Sequence, residues 1–390
     1  MSVYLDHAAS TPIRVEARRA WLDASEVVGN ASSVHGDGQS ARRVLEDARE
    51  KVAAALGCEP IEVLFTSGGT ESINAAVKGL WWSRDEGANT IVLPDGEHHA
   101  TMDAVEWLRS TEAALVRSVA LTDTGAVEPE RFARALPGAA LASTLVANNE
   151  VGTVSDVPAL AAAAAEAGVP LHVDAVGAVG ILDIDFGRWR GSTRAHTGLV
   201  AMSLSGHKLG APVGTGALVV SRHARLQPLV HGGGQQRGLR AGTQDIAGAS
   251  ALAAALEAAL AERAETSRRL RGLRDRAIEA IRRDIPEAEL LGDPVQRLPG
   301  NLHFHFPGAA GETLLFLLDQ HGISVSTGSA CQAGVTEPSH VVLALGRDDR
   351  AARSVLRITL GRASSTSDVD ALVAALPAAY RRAVAAAGTR

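Results

Sequence analysis

Lysine occurs at only three positions in this 390-residue chain, although lysine and arginine together number 38. Two of the three, Lys51 and Lys78, lie in helix-like sequence, but Lys208 follows an apolar run in "SLSGHKLGAP" and is flanked by Gly206, His207 and Gly210. An arginine there would stay charged, whereas a lysine can lose its proton, act as a nucleophile and form a Schiff base. Two other apolar runs end in groups that could serve such an amine. "FTSGGTESIN" reads as a strand, a Ser-Gly-Gly turn and a helix opening at Thr70, which offers backbone N–H groups and a helix N-terminus to a phosphate. "HVDAVG" sets Asp174 at the end of an apolar strand, where a carboxylate is costly unless partnered. A phosphate cup, a strand-end carboxylate and a glycine-flanked lysine together match what pyridoxal 5'-phosphate requires: an anchor, a counter-charge for its ring nitrogen and an amine for its aldehyde.

These positions are ordered by apolar runs that alternate with helical patterns from about residue 62 to 220. "VLFTSGG", "TIVLPDG", "ALASTLVANNE", "PLHVDAVG", "LVAMSLSG" and "ALVVS" read as buried strands. Helices are expected over 70–84, 101–110 and 157–167, and alternation of this kind implies a mostly parallel sheet covered on both faces. Upstream, "SARRVLEDAREKVAAALG" spaces Val44, Ala48, Val52 and Leu56 on one helix face and stops at Gly57. Residues 245–283 are almost free of helix breakers and predict one long helix leaving the first domain. "NLHFHF", "ISVSTGS" and "SVLRITLG" follow as shorter strands, with helices over 312–321 and 368–386, and together these predict a second, smaller α/β domain.

Composition narrows the functional class. A formal net charge of −6 and the lack of a basic run give no electrostatic footprint for nucleic acid. The start "MSVYLDHAAS" has neither a basic nor an apolar leader region, and no stretch of about 18 apolar residues occurs, so the expectation is a cytoplasmic protein without membrane spans. The two cysteines, Cys58 and Cys331, lack metal-ligand spacing, and neither a structural metal nor a disulfide framework is expected. Cys331 lies in "STGSACQAGVTEPSH", a small, polar, glycine-bearing segment suited to a loop. Cys58, in "ALGCEP" at a helix end, reads as a structural thiol.

In order and spacing, "YLDHAASTP", "GNASSVH", "FTSGGTES", "GEHHA", "NNEVG", "HVDA", "SGHK", "HGGGQQRGLRAGT", "STGSAC" and "LRITLGR" resemble the IscS/NifS-like cysteine desulfurases, fold-type I pyridoxal-phosphate enzymes. The resemblance implies a large domain over 15–255 with a mostly parallel, seven-stranded type of sheet sandwiched by helices. It implies a small α/β domain formed by 1–14 with 256–390, which carries the cysteine segment. Lys208 would then be the Schiff-base lysine and Asp174 the partner of the ring nitrogen. Gly69, Thr70, Ser205 and His207 would hold the phosphate, and Thr243 would reach the phosphate of a partner subunit in a homodimer. His98 would stack on the ring, Asn149 and Arg357 would take the substrate carboxylate, and Cys331 would be the nucleophile. The implied reaction removes sulfur from L-cysteine, giving L-alanine and a persulfide on Cys331. The segment after Cys331 resembles the long-loop type that passes sulfur to acceptor proteins such as an iron–sulfur scaffold or a tRNA thiolase.

One position departs from the pattern. Gly177 stands where the family usually has glutamine, and it cannot donate a side-chain hydrogen bond to the cofactor's phenolic oxygen. A selenocysteine lyase, or a specialised sulfur donor for another pathway, could share every residue named. A catalytically decayed dimeric scaffold for sulfur assembly is a reading from outside enzyme chemistry, with the Gly177 departure as its only support.

Overall fold

The computed structural model describes residues 2–328 and 337–387. Among them, seven strands form one sheet, in the spatial order Val63–Thr66, Gly216–Val220, Gly198–Ser205, Pro170–Asp174, Ala139–Leu145, Thr90–Pro94 and Leu115–Val119. Gly216–Val220 runs antiparallel to both of its neighbours, and all other pairings are parallel. Six of the strands are the apolar runs expected from sequence, and five of those six are buried at every residue, because helices cover both faces. The seventh, Leu115–Val119, is an edge strand with four exposed residues.

The expected helices form at Gly69–Trp82, His99–Glu112 and Val157–Glu166, and the first long one, Gly36–Leu56, ends at Gly57 with φ of 67°. The breaker-free stretch is a single helix of 39 residues, Ile246–Asp284. Its Asp245 cap accepts from Gly248 N at 2.8 Å. At 1.5 Å per residue it is about 58 Å long. Leu252, Leu256 and Ala259 on this helix pack into the hydrophobic core around the sheet. Leu270, Leu273, Ala277 and Ile281 pack into a second core with Leu302, Phe304, Phe306, Leu314, Leu356, Ile358 and Leu372.

The second core is built on an antiparallel sheet, Val355–Thr359 beside Asn301–His305 beside Glu289–Leu290. The N-terminal segment crosses the molecule to reach it. Val3–Tyr4 pairs in parallel with Ile323–Ser324, Leu5 is fully buried in the second core, and Asp6 bridges to Thr359. This crossing carries residues 6–9 into the space between the second sheet and the end of the Ser205 strand.

Candidate active site

A cleft of about 560 Å3 opens where the strands carrying Leu145, Asp174 and Ser205 end. This is the carboxyl edge of the parallel strands, where open α/β sheets bind ligands. Its wall includes Gly69, Thr70, His98, Asn149, Asp174, Gly177, Ser205, His207, Lys208 and Arg357. Every one of these positions is singled out by the sequence, and the fold brings them together from segments up to 288 positions apart in the chain. Thr243 is exposed and lies outside this wall. Cys331 lies outside the described residues.

Gly206, at the end of the Ser205 strand, starts a four-residue helical turn that projects His207 and Lys208. Lys208 Nζ donates to the backbone carbonyls of Ala8 and Ala9, the latter at 2.9 Å. Burial, and then repulsion from Arg357, lowers its pKa to about 8. About one tenth of this amine is therefore neutral at pH 7, against well under one hundredth for an ordinary lysine, which favours attack on a carbonyl. His207 is half-buried, with Nδ1 3.4 Å from Ser10 Oγ.

Asp174 is almost wholly buried, and its Oδ1 accepts from Val176 N at 2.8 Å. Burial pushes its pKa up to about 6 against the opposing pull of that hydrogen bond and of Lys208. It remains an anion at neutral pH. A second buried acid, Glu97, supports the same region. Its Oε1 accepts from Leu145 N at 2.9 Å, and its Oε2 has no hydrogen-bond partner among the described residues. Burial and the charge of Asp174 push Glu97 up to about 8, so at neutral pH the negative charge resides on Asp174. Nothing in "GEHHA" marks Glu97 as buried, so it carries no sequence signal of its place in the site.

His98 caps the helix His99–Glu112 by accepting from Ala100 N through Nδ1 at 3.1 Å. Burial, followed by repulsion from Lys208, lowers its pKa to about 4. The ring is thus neutral, with its proton on Nε2. Arg357 lies on the second sheet, where its guanidinium donates to Asp6 Oδ1 and to the Asn149 carbonyl, both at 3.0 Å. Arg357 Nε and Asn149 Oδ1 are buried without partners among the described residues. Both residues line the cleft, and an orphaned donor and an orphaned acceptor there suit a zwitterionic ligand. The contributions of Asp6 and of the Ala8 and Ala9 carbonyls have no sequence signal, because two of the three are backbone groups.

The site fits pyridoxal phosphate. Gly68 has φ of 151°, and the helix behind it, Gly69–Trp82, begins without a side-chain cap, so its first N–H groups are available to an anion. A Cβ on Gly69 would stand 2.8 Å from Val176 Cγ2, so the cradle stays narrow only with glycine. Gly177 differs in kind. Its φ lies outside the positive range, and a Cβ there would meet nothing within 4 Å, so neither the backbone nor the packing demands glycine.

The sequence matches the Aminotransferase class-V family over residues 3–372. The chain belongs to that family. It is 47% identical to an IscS-like cysteine desulfurase of Mycobacterium tuberculosis over 98% of both chains. Among solved structures it is similar to a NifS-like protein, with a TM-score of 0.88 and 31% identity, over 97% of this chain and 99% of that one. It is also similar to SspA in complex with cysteine, with a TM-score of 0.77 and 29% identity, over 92% of this chain and 99% of the other. The class-V fold is the fold-type I architecture that the family resemblance implies.

Proposed function

We propose that this class-V enzyme is a pyridoxal-phosphate-dependent cysteine desulfurase whose nucleophile is Cys331. The observation that carries the reading is the convergence, in one cleft, of a lysine with a lowered pKa, a buried anionic aspartate and an arginine with a free donor. The similarity to cysteine desulfurases supports it. Gly69, Thr70, Ser205 and His207 would hold the cofactor phosphate, Asp174 its ring nitrogen, His98 its ring face and Lys208 its aldehyde carbon. The bound group supplies an electrophilic carbon for the substrate amine and a cationic ring that draws electrons from Cα.

Around it, Arg357 and Asn149 orient the substrate carboxylate. Asp174 keeps a proton on the ring nitrogen by remaining charged. The neutral Lys208 amine takes the Cα proton and returns it, because its pKa near 8 makes both directions accessible at neutral pH. The Cys331 thiolate attacks the substrate sulfur. An S–S bond forms while the S–Cβ bond breaks, and the electron pair stays with the carbon skeleton, which takes up a proton and leaves as alanine. The sum is cysteine plus protein thiol giving alanine plus protein persulfide, with no outside oxidant.

We read the acceptors as proteins such as an iron–sulfur scaffold or a tRNA-thiolating enzyme, and the working form as a cytoplasmic homodimer in which Thr243 serves the partner's phosphate. No helix among the described residues is long and apolar enough to cross a membrane. The test is purified protein with pyridoxal phosphate and L-cysteine, measuring alanine and sulfide together in the presence of reductant. Equal release supports desulfuration, and cysteine left unconsumed refutes it. Light scattering showing a fully active monomer would overturn the dimer.

A further inference from the structure

Outside the groups used above, the most deeply buried acid is Glu150, 1% exposed, next to the substrate-anchoring Asn149. Its own turn is rigid, since Asn148 Oδ1 accepts from both Glu150 N at 2.9 Å and Val151 N at 3.0 Å. Asn301 Nδ2 also donates to the Glu150 carbonyl at 2.9 Å. The carboxylate is directed away from these contacts, toward the residues on either side of the Cys331 segment.

Ser339 Oγ donates to Glu150 Oε2 at 2.5 Å. The same hydroxyl oxygen accepts from Val342 N at 3.1 Å, which leaves its proton for the carboxylate. Gly328, on the other side, has φ of 93° and is packed so closely that a Cβ would stand 2.8 Å from Glu150 Oε2 and 3.2 Å from His303 Cε1. Gly328 N donates to Ser326 Oγ at 3.1 Å, and Ser326 N donates to the Arg357 carbonyl at 3.0 Å. His303 pairs across the sheet with Arg357 and is fully buried. Burial holds that ring neutral, so it brings no counter-charge to Glu150. The carboxylate oxygen that accepts from Ser339 also faces Gly328 too closely to admit a Cβ there, and Cys331 lies between residues 328 and 339 in the sequence.

We propose that Glu150 is a positioning residue for the nucleophile, fixing Gly328 and Ser339 relative to the Asn149–Arg357 anchor. The proposal rests on the reading of Cys331 as the sulfur acceptor. Capture of cysteine uses Arg357, Asn149 and Lys208, whereas sulfur transfer depends on how Cys331 is presented. Loosening Glu150 or Ser339 should therefore impair the second and spare the first. A misplacement of about 1 Å at a reacting group costs on the order of 100-fold in rate.

The experiment compares Ser339→Ala, Glu150→Ala, Glu150→Gln and Cys331→Ser holoenzymes. It measures the cofactor spectral change on adding cysteine, the rate of persulfide formation by mass spectrometry, and kcat and KM. Ser339→Ala and Glu150→Ala should lose roughly 10- to 100-fold in persulfide rate and kcat, with KM within about twofold and the spectral change intact. Glu150→Gln keeps an oxygen for Ser339 and should recover most of that loss. Wild-type persulfide rates in Ser339→Ala overturn the proposal, as does a loss matched by an equal loss of the spectral response. If Glu150→Ala does not fold, Ser339→Ala alone decides. If Cys331→Ser still releases alanine at the wild-type rate, the nucleophile reading itself fails. If Cys331→Ser is inactive while Ser339→Ala is unimpaired, only the role of Glu150 fails.

Discussion

Replacing Asp174 with asparagine should have opposite effects on the cofactor-free and cofactor-loaded protein. In the cofactor-free fold, burial raises the Asp174 pKa from 3.8 to about 6. Below about pH 3 the group is protonated in both folded and unfolded chains and contributes no difference. As the pH rises through this window, the unfolded chain loses its proton first, so folded stability falls. Above pH 6 the full cost is present, about 3 kcal/mol at 1.36 kcal/mol per pH unit. The asparagine side chain does not ionise, and its Oδ1 can still accept from Val176 N. Removing the charge also relieves Glu97, whose pKa is raised in part by Asp174. For 390 residues the unfolding entropy is about 0.8 kcal/mol/K, so the stability difference should move toward the variant by about 3 °C between pH 4 and pH 7. Adding pyridoxal phosphate reverses the sign, because only the wild type supplies a counter-charge to the ring nitrogen. The assay is thermal unfolding of both proteins from about pH 4 to pH 7, with and without the cofactor. A melting difference that does not change with pH would refute the burial argument. Equal stabilisation of both proteins by the cofactor would refute the partner assignment.

Lys208→Ala should fold and still bind the cofactor, but release no alanine and incorporate no cofactor on borohydride reduction; alanine at near wild-type rate would contradict the role given to its amine. Arg357→Gln removes a charge-assisted contact worth about 1.5–3 kcal/mol, so KM for cysteine should rise roughly 10- to 100-fold, and a KM within twofold of wild type would place the carboxylate elsewhere. Cys58 is partly buried, and burial pushes its pKa up to about 12, so iodoacetamide at pH 8 should label Cys331 and spare Cys58, and Cys58→Ser should turn over like wild type. Rapid labelling of Cys58, or persulfide found on it, would contradict this.

The sequence is most legible where burial is two-sided. Strands such as Gly198–Ser205 are apolar at nearly every position because helices cover both faces, and a run of that kind needs no tertiary knowledge to be seen. Leu115–Val119 carries Arg117 and Ser118 on an edge, so the same pattern is diluted by solvent-facing residues and escapes notice. The helix Val15–Ser25, with two buried residues, escapes for a similar reason. Within the cleft, Lys208 and Asp174 stand out because glycines or apolar neighbours isolate them. Glu97 and Glu150 do not, since a glutamate beside histidines or asparagines looks like surface until the chain folds over it. Asp6 and the carbonyls of Ala8 and Ala9 are hidden more completely, because what places them opposite Lys208 is a pairing with strands more than 300 positions away.

That N-terminal crossing has a consequence for biosynthesis. Residues 3–9 are made more than 300 positions ahead of their partners at Ile323, Ser324 and Thr359. The central sheet is complete once residue 220 has been made, 139 residues before Thr359. At about 5–20 residues per second, that interval lasts roughly 7–28 s on the ribosome. During it the strand ends that bear Asp174 and Lys208 can be in place, while the wall formed by Asp6, Ala8, Ala9 and Arg357 cannot. The nascent chain therefore presents an open half-site, and the enclosed cleft is a product of the finished polypeptide alone.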